Sequence, residues 1–449
     1  MSQNVVLSVD KAQVSAINQL PSYSYKAGNP TIEVLISGQP NQYLDVESLR
    51  VNFTFRVLTG AGNKRPNNND ADGSGDVDIM LDERVGVSSV FQSVSIRDNN
   101  GNILEQIQNY PRLLSSILPN TLSLRDYCGF VNDRYGAFGA NSFNEGRVCN
   151  GDITQSHKIF CGLLMGKPIP FSMVGGTLRL SLNLSSDNFA LYGLNAGDAN
   201  GSSYELRDLN VSFNYLTMGQ PVGVPKQGFS YKHYSSYSSV LNSGDNTNSL
   251  TLGVSQMTNL FVNYIPSVWG NTYGQNSLQT PKLLNSNAGA YDELAQVEKS
   301  TELKNSLKSP LDFEVDEKRY TDNDNFDAVR EYYYLNSIKP IWSINHTLVC
   351  PATENYRNGL QISTGDNNPV GRSIVGGAVS EGSTYTPNVF GTGMRIDELG
   401  LGSSSNYSNA LWSQRLSSKN DGNSPVQLFV FAYGKNTILP QSSGMVVMN

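Results

Sequence analysis

Charge is scarce in this 449-residue chain: only 16% of residues are charged, and the balance is −7 with no run of lysines and arginines. A protein that grips nucleic acid needs a basic surface, so direct nucleic-acid binding is not expected. Histidine is scarcer still. The three are His157 in ITQSHKIF, His233 in SYKHYSSY and His346 in INHTLV. None falls in an HxH, HExxH or HxxxH pattern, so each reads as an ordinary structural or surface histidine. The four cysteines, Cys128, Cys149, Cys161 and Cys350, form no CxxC pair. That spacing argues against structural zinc, and in a reducing compartment they read as inert thiols. No apolar run approaches the roughly 18 to 20 residues needed to cross a bilayer. The opening MSQNVVLSVDKAQ lacks the charged-then-apolar pattern of a signal peptide. The chain therefore reads as soluble and made in the cytosol.

Catalytic patterns are equally absent. There is no GxSxG elbow, P-loop or strand-linked GxGxxG, and GTGMRIDELGLG from Gly391 has neither lysine nor a following helix. Asp312, Glu314, Asp316 and Glu317 stand close together. Paired carboxylates serve glycosidases, but these lie in a polar insertion and read as a solvated face. Catalytic, cofactor-binding and metal residues are therefore assigned to none, and the chain is expected not to be an enzyme.

What the chain has is glycine (41), tyrosine (23), asparagine and serine, a balance suited to short strands joined by turns. In LRVNFTFRVL, Leu49, Val51, Phe53, Phe55 and Val57 alternate with polar residues, the period of a strand with one buried face. TLRLSLNL repeats this through Leu178, Leu180, Leu182 and Leu184, and LNVSFNYL through Leu209, Val211, Phe213 and Tyr215. The sequons Asn52-Phe53-Thr54 and Asn183-Leu184-Ser185 fall inside such runs and read as chance matches. SVFQSVSI and NILEQI flank Asn100-Gly101, which predicts a hairpin with a type I′ turn. NLFVNYIPSVW, SIKPIWSINHTLV and PVQLFVFAYG read as further strands, the last buried on both faces. Segments 350–385 and 400–425 read as loops. Leu294, Val297, Leu303 and Leu307 predict a short helix before Pro310.

Between Asn67 and Glu83, NNNDADGSGDVDIMLDE gathers six carboxylates around two glycines. With Asn68 as position 1, Asp70, Asp72, Gly73, Ser74 and Asp76 match the first half of a calcium loop. Position 12, which needs a bidentate glutamate, is Ile79. The flanks are strand-like, one strand ending near Leu58 and the next beginning near Val87, so the stretch reads as a solvated loop. The tyrosine clusters SYSYK from Ser22, YKHYSSYSS from Tyr231 and YYYL from Tyr332 suit either β-core packing or a sugar- or protein-binding surface.

The length predicts two domains. MGQPVGVPKQGFS, punctuated by Pro221, Gly223, Pro225 and Gly228, marks a linker with about 220 residues on each side. The predicted division is an N-terminal arm over 1–25, a first β-domain over 26–220, a linker at 221–228, and a second β-domain over 229–449 carrying an insertion around 285–330.

Taken in order, NQYLDVESLRVNFTFRVL, the hairpin VGVSSVFQSVSIRDNNGNILEQIQNYPRLLSSIL with its Tyr110-Pro111 turn, GGTLRLSLNLSSDNFALYG with YELRDLNVSFNYLTM, YSSVLNSGDNTNSLTLGVSQMTNLFVNYIPSVW with NTYGQNSLQTPKL, and the closing VQLFVFAYGKNTILPQSSGMVVMN resemble the major capsid proteins of double jelly-roll viruses. The likeness is to the virophage and polinton-like type. The resemblance implies an all-β fold of two tandem eight-stranded jelly rolls with long loops and a few short helices. It implies homotrimeric pseudo-hexagonal capsomers that tile an icosahedral virion shell. The partners it implies are the chain itself, neighbouring capsomers, and penton and minor capsid proteins. No cofactor is implied, and the arm over 1–25 is expected to lie extended at the capsomer base. The alternative readings are a carbohydrate-binding or adhesin-like tandem β-sandwich, and a jelly-roll glycosidase.

Overall fold

The structure is a computed structural model of the chain. Residues 6–17, 24–25, 30–58, 79–81, 86–114, 152–193, 201–220, 228–250, 254, 256–266, 312–315, 318–319, 391–395, 414–420, 425–441 and 444–448 are described. In chain order the N-terminal strands are β1 (Val6–Ser15), β2 (Ser24–Tyr25), β3 (Thr31–Ser37), β4 (Gln42–Leu58), β5 (Ile79–Met80), β6 (Phe91–Asp98), β7 (Ile103–Gln108), β8 (Ile153–His157), β9 (Ile169–Pro170), β10 (Thr177–Leu184), β11 (Tyr192–Gly193) and β12 (Ser203–Met218). The C-terminal strands are β13 (Phe229–Leu241), β14 (Gly244–Ser249), β15 (Gln256–Pro266), β16 (Asp312–Val315), β17 (Lys318–Arg319), β18 (Gly391–Arg395), β19 (Gln414–Asn420), β20 (Val426–Gln441) and β21 (Gly444–Met448).

The first sheet runs β1-β12-β4-β8, with β2 added to β12 and β9 to β4. Its spine is the antiparallel pair β4–β12. Along β4 the predicted alternation holds, with Leu49, Val51, Phe53, Phe55 and Val57 all buried. Before Leu49 the buried positions are Leu44 and Val46, so the parity switches. The β4–β12 register shifts there. Ser48 stabilises the irregularity, donating to the Asp45 carbonyl at 2.7 Å and accepting the Asn214 N–H at 2.8 Å. Both sequons lie in strands, Asn52 in β4 and Asn183 in β10.

The second sheet has nine strands in the order β18-β15-β20-β13-β7-β6-β10-β3, with β21 on β20. It takes β3, β6, β7 and β10 from the N-terminal part and β13, β15, β18, β20 and β21 from the C-terminal part. The two sets meet at β7 and β13, which run parallel and register through Ser235 and Gln106. β20 lies between β13 and β15, and every residue from Leu428 to Gly434 is buried. That is the burial its nearly continuous apolar run predicts. Between the sheets Phe53 of β4 meets Phe91 of β6 edge-on at 5.9 Å. The hydrophobic core is continuous from these rings to Phe429 and Phe431 of β20.

Four expectations are corrected. The β6–β7 hairpin forms, but among its turn residues only Gly101 has positive φ (85°), so the turn is not type I′. Asp98 closes a longer loop by accepting both the backbone N–H and the side-chain amide of Asn102, each at 2.8 Å. The strand expected near Val87 begins at Phe91, because Gly86–Val90 form a 3-10 turn. Segment 400–425 holds β19, which joins β14, β16 and β17 in a four-stranded sheet, so Asp312 and Glu314 of the insertion lie in a strand. Finally, Val6–Ser15 of the expected arm is extended but hydrogen-bonded to β12 throughout, as an edge strand of its own chain. The helix predicted before Pro310, the run SIKPIWSINHTLV, His346, Cys128, Cys149, Cys350, Asp316, Glu317 and the cluster YYYL lie outside the described residues.

Candidate functional site

Among the described residues no group of three or more His, Cys, Asp or Glu is placed to hold a metal ion. His157 is buried at the end of β8, with Nε2 2.8 Å from Ser88 Oγ and its ring stacked on Phe91 at 6.0 Å. Burial, helped by the nearby Arg50 charge, pushes it down to about 4, so it stays neutral. Of the acidic stretch, Ile79 and Leu81 are described. Both are fully buried, and Ile79 pairs with Gly193. The position where a calcium loop needs a glutamate is thus a core residue. Asp70, Asp72 and Asp76 lie outside the described residues. Tyr25, Tyr231 and Tyr234 are buried, which assigns these members of two tyrosine clusters to packing.

The densest buried polar arrangement sits where β7 meets β13. Glu105 of β7 is 1% exposed. Its Oε1 accepts the backbone N–H groups of Gly162 at 2.8 Å and Tyr234 at 2.7 Å, and its Oε2 accepts that of Leu163 at 2.8 Å. The Cys161 thiol donates to the same carboxylate. One side chain therefore ties β7, the turn after β8 and β13. Around it Tyr231 Oη donates to the Leu104 carbonyl at 2.9 Å, the Gln108 N–H donates to Ser236 Oγ at 2.9 Å, and Tyr110 Oη accepts the Phe160 N–H at 2.8 Å. Tyr110 opens a short helix after the hairpin. Arg112, in that helix, lies over the Phe429 ring of β20 at 5.4 Å. Gly162 is obligatory, because a Cβ there would come within 2.5 Å of the His233 Cα.

Burial pushes the Glu105 carboxyl up to about 7, against the pull of the three N–H donors and the thiol. Burial and the Glu105 charge push the Cys161 thiol well above its ordinary range, so it is held protonated and unreactive. Burial also drives His233, in the next position of β13, down to about 4. Sequence reading missed Glu105, which looks like an ordinary polar position in NILEQI. Its backbone partners stand 57 to 129 residues away, so no local pattern marks it.

A second feature is the free edge of the first sheet. Among the described residues β1 is the terminal strand there, and it carries Val6, Leu7 and Val9, which are 42%, 68% and 58% exposed. A long edge strand with exposed apolar side chains invites pairing or packing with another chain.

Comparison with solved structures gives the fold a name. The PBCV-1 protein Vp54, as fitted into a cryo-EM reconstruction of the virophage Sputnik, matches with a TM-score of 0.57 and 10% identity. The match spans 98% of this chain and 96% of that one. The chain is a double jelly roll. The Sputnik virophage structure at 3.5 Å matches with a TM-score of 0.53 over 98% of this chain and 88% of that chain, and the Faustovirus major capsid protein with 0.50 over 96% and 90%, both at 10% identity. No protein-family model and no curated protein matches the sequence. In this chain the nine-stranded sheet joins strands of the N-terminal and C-terminal parts, and Glu105 sits at the seam where β7 meets β13.

Proposed function

We propose that this chain is the major capsid protein of a virus of the virophage type, a structural subunit of the virion shell with no catalytic role. The observation that carries this is coverage: the structural match extends over 98% of this chain and 96% of its neighbour, so the likeness takes in both β-rich halves and not one module alone. Its first jelly roll runs to residue 220 and includes β1 and β2, its second spans 229–449, and the linker at 221–228 joins them. Three chains form a pseudo-hexagonal capsomer, and capsomers tile an icosahedral shell. Obligate interfaces of this kind bury thousands of Å². The exposed apolar residues of β1 form one surface available for contact with a neighbouring capsomer or with a penton or minor capsid protein.

Light scattering after size exclusion tests the first step. A single stable species of 3 × 49.0 = 147 kDa supports the capsomer, and electron microscopy of that species should show pseudo-hexagonal particles. A 49.0 kDa monomer indifferent to concentration and salt counts against it. The burial of Tyr231 and Tyr234 takes those two rings out of any sugar-binding surface.

A further inference from the structure

We propose that the face of the β6–β10 pair turned away from the core is a binding site for a tetrahedral oxyanion, a phosphate or sulfate group, held by Arg97 and Arg179 over the hydroxyls of Ser95 and Ser181. The inference concerns the chain itself and holds whether or not the chain builds a shell.

Register carries it. The alternation of β10 buries Leu178, Leu180 and Leu182 and leaves Arg179 and Ser181 on the opposite face. Antiparallel pairing sets Arg179 directly opposite Arg97, and Ser181 directly opposite Ser95. Opposed residues of such a pair share a face, with Cβ atoms roughly 5 Å apart. The arginine pair and the serine pair are separated by about 7 Å along the strands, within the reach of an arginine side chain. Two guanidiniums and two hydroxyls, all donors, therefore meet on one small patch. Two observations show that the patch lacks an acceptor. Like charges directly opposite one another repel, yet Arg97 and Arg179 have no hydrogen-bond or ion-pair partner among the described residues. By register their remaining cross-strand neighbours are the apolar Ile103 and Leu35. Beside the serines stand Gln106 and Glu33, and Glu33 forms no ion pair with either arginine. Independently, Ser95 is 9% exposed and its Oγ is buried with no hydrogen-bond partner.

An oxyanion answers both. Each guanidinium presents a planar fork of N–H donors that matches two oxygens, and a shared anion turns the repulsion between the arginines into attraction to one centre. The arginines lean along the strands toward the serines, whose hydroxyls donate to a remaining oxygen. A carboxylate offers two oxygens, which one fork engages, whereas a four-oxygen group can serve both forks and a hydroxyl at once. The donors are held in place beforehand, because β3 and β7 flank the β6–β10 pair within the sheet.

The test titrates the full chain with inorganic phosphate, and separately with sulfate, against chloride at matched ionic strength, by calorimetry and by chemical denaturation. Expected is a saturable heat, and at ten times Kd a gain of about 11-fold in the folding equilibrium. The double variant Arg97→Gln with Arg179→Gln should lose both. Comparison with it cancels the general stabilisation that phosphate and sulfate give any folded protein. The cycle over the two single variants decides the sign: the coupling between the arginines should be unfavourable in chloride and favourable in saturating phosphate. Arg97→Lys with Arg179→Lys keeps both charges but loses the forks, and should bind phosphate more weakly than wild type. Displacement of bound phosphate by heparin would identify the ligand as a sulfate group on a larger molecule, and phosphate that heparin leaves in place would identify a free ion. A heat that survives the glutamine variant, a coupling of one sign in both salts, or full affinity in the lysine variant overturns the proposal.

Discussion

Replacing Gly162 by alanine is the sharpest probe of the seam, because one methyl group meets backbone on one side and a charge network on the other. The added Cβ would lie 2.5 Å from His233 Cα, 2.6 Å from its nitrogen and 2.7 Å from the Lys232 carbonyl carbon. These atoms belong to β13, which is paired along its length with β20 and cannot retreat alone. The turn carrying Gly162 must shift instead, and that stretches the two N–H bonds from Gly162 and Leu163 to Glu105. Overpacking of this kind costs about 1–3 kcal/mol, and weakening two bonds to a buried carboxylate adds roughly 1–3 kcal/mol. The expected destabilisation is about 2–6 kcal/mol, a large part of a net stability of ~5–15 kcal/mol. Gly166→Ala is the internal control. Its Cβ would meet only the Gly162 and Leu163 carbonyl oxygens at 3.5 Å, an ordinary contact, and it should change stability by less than about 1 kcal/mol. Urea midpoints for the two variants, compared at constant m-value, decide the matter. Equal midpoints for Gly162→Ala and Gly166→Ala would refute the claim that the seam is backbone-tight at this position.

Other consequences are as direct. Tyr204→Phe keeps the ring stacked on Phe55 but deletes the hydroxyl that donates to the Ser185 carbonyl, and should cost about 1–2 kcal/mol by denaturation. His157 is held at about 4, so its contribution is present above its unfolded value of 6.5 and lost as pH falls toward 4. Replacing it with glutamine should flatten the acid limb of the stability profile by up to about 3 kcal/mol. Leu7→Asp combined with Val9→Asp should leave the monomer's melting temperature within a degree or two, since both side chains are exposed. The same pair should impair assembly into particles seen by electron microscopy, whereas normal assembly would remove β1 from the contact surface. Asp70, Asp72 and Asp76 changed together to Asn should give the same melting temperature with and without Ca²⁺, because position 12 of that loop is the buried Ile79.

The strands were legible wherever one face is buried and the other wet. Leu49 to Val57 of β4 and Leu178 to Leu184 of β10 announce themselves because period-two alternation is a direct image of burial. β20 was legible for the opposite reason, its unbroken apolar run matching burial on both faces. Two kinds of feature were not. β19, reading QRLSSKN, carries almost no apolar signal, and its strand state is set by pairing with β14 and β16. β1 is likewise weakly patterned, since an edge strand with exposed positions on both faces leaves no alternation to read.

Glu105 belongs to a third kind, a residue whose meaning is entirely non-local. Period two places Glu105 on the same strand face as Ile103 and Ile107, yet nothing in NILEQI marks it as the anchor of a junction between distant strands. It becomes one because β7 stops being an edge strand when β13 arrives beside it. The two strands run parallel and register through a single pair, so side chains supply hydrogen bonds that a continuous ladder would otherwise make. A carboxylate is suited to that work because two oxygens accept from three directions at once. A glutamine in its place presents an NH₂ group to one of those N–H donors, which cannot pair with it. The seam of a tandem fold is thus where local patterning should fail most often. Buried carboxylates in otherwise ordinary strands are the residues to examine there.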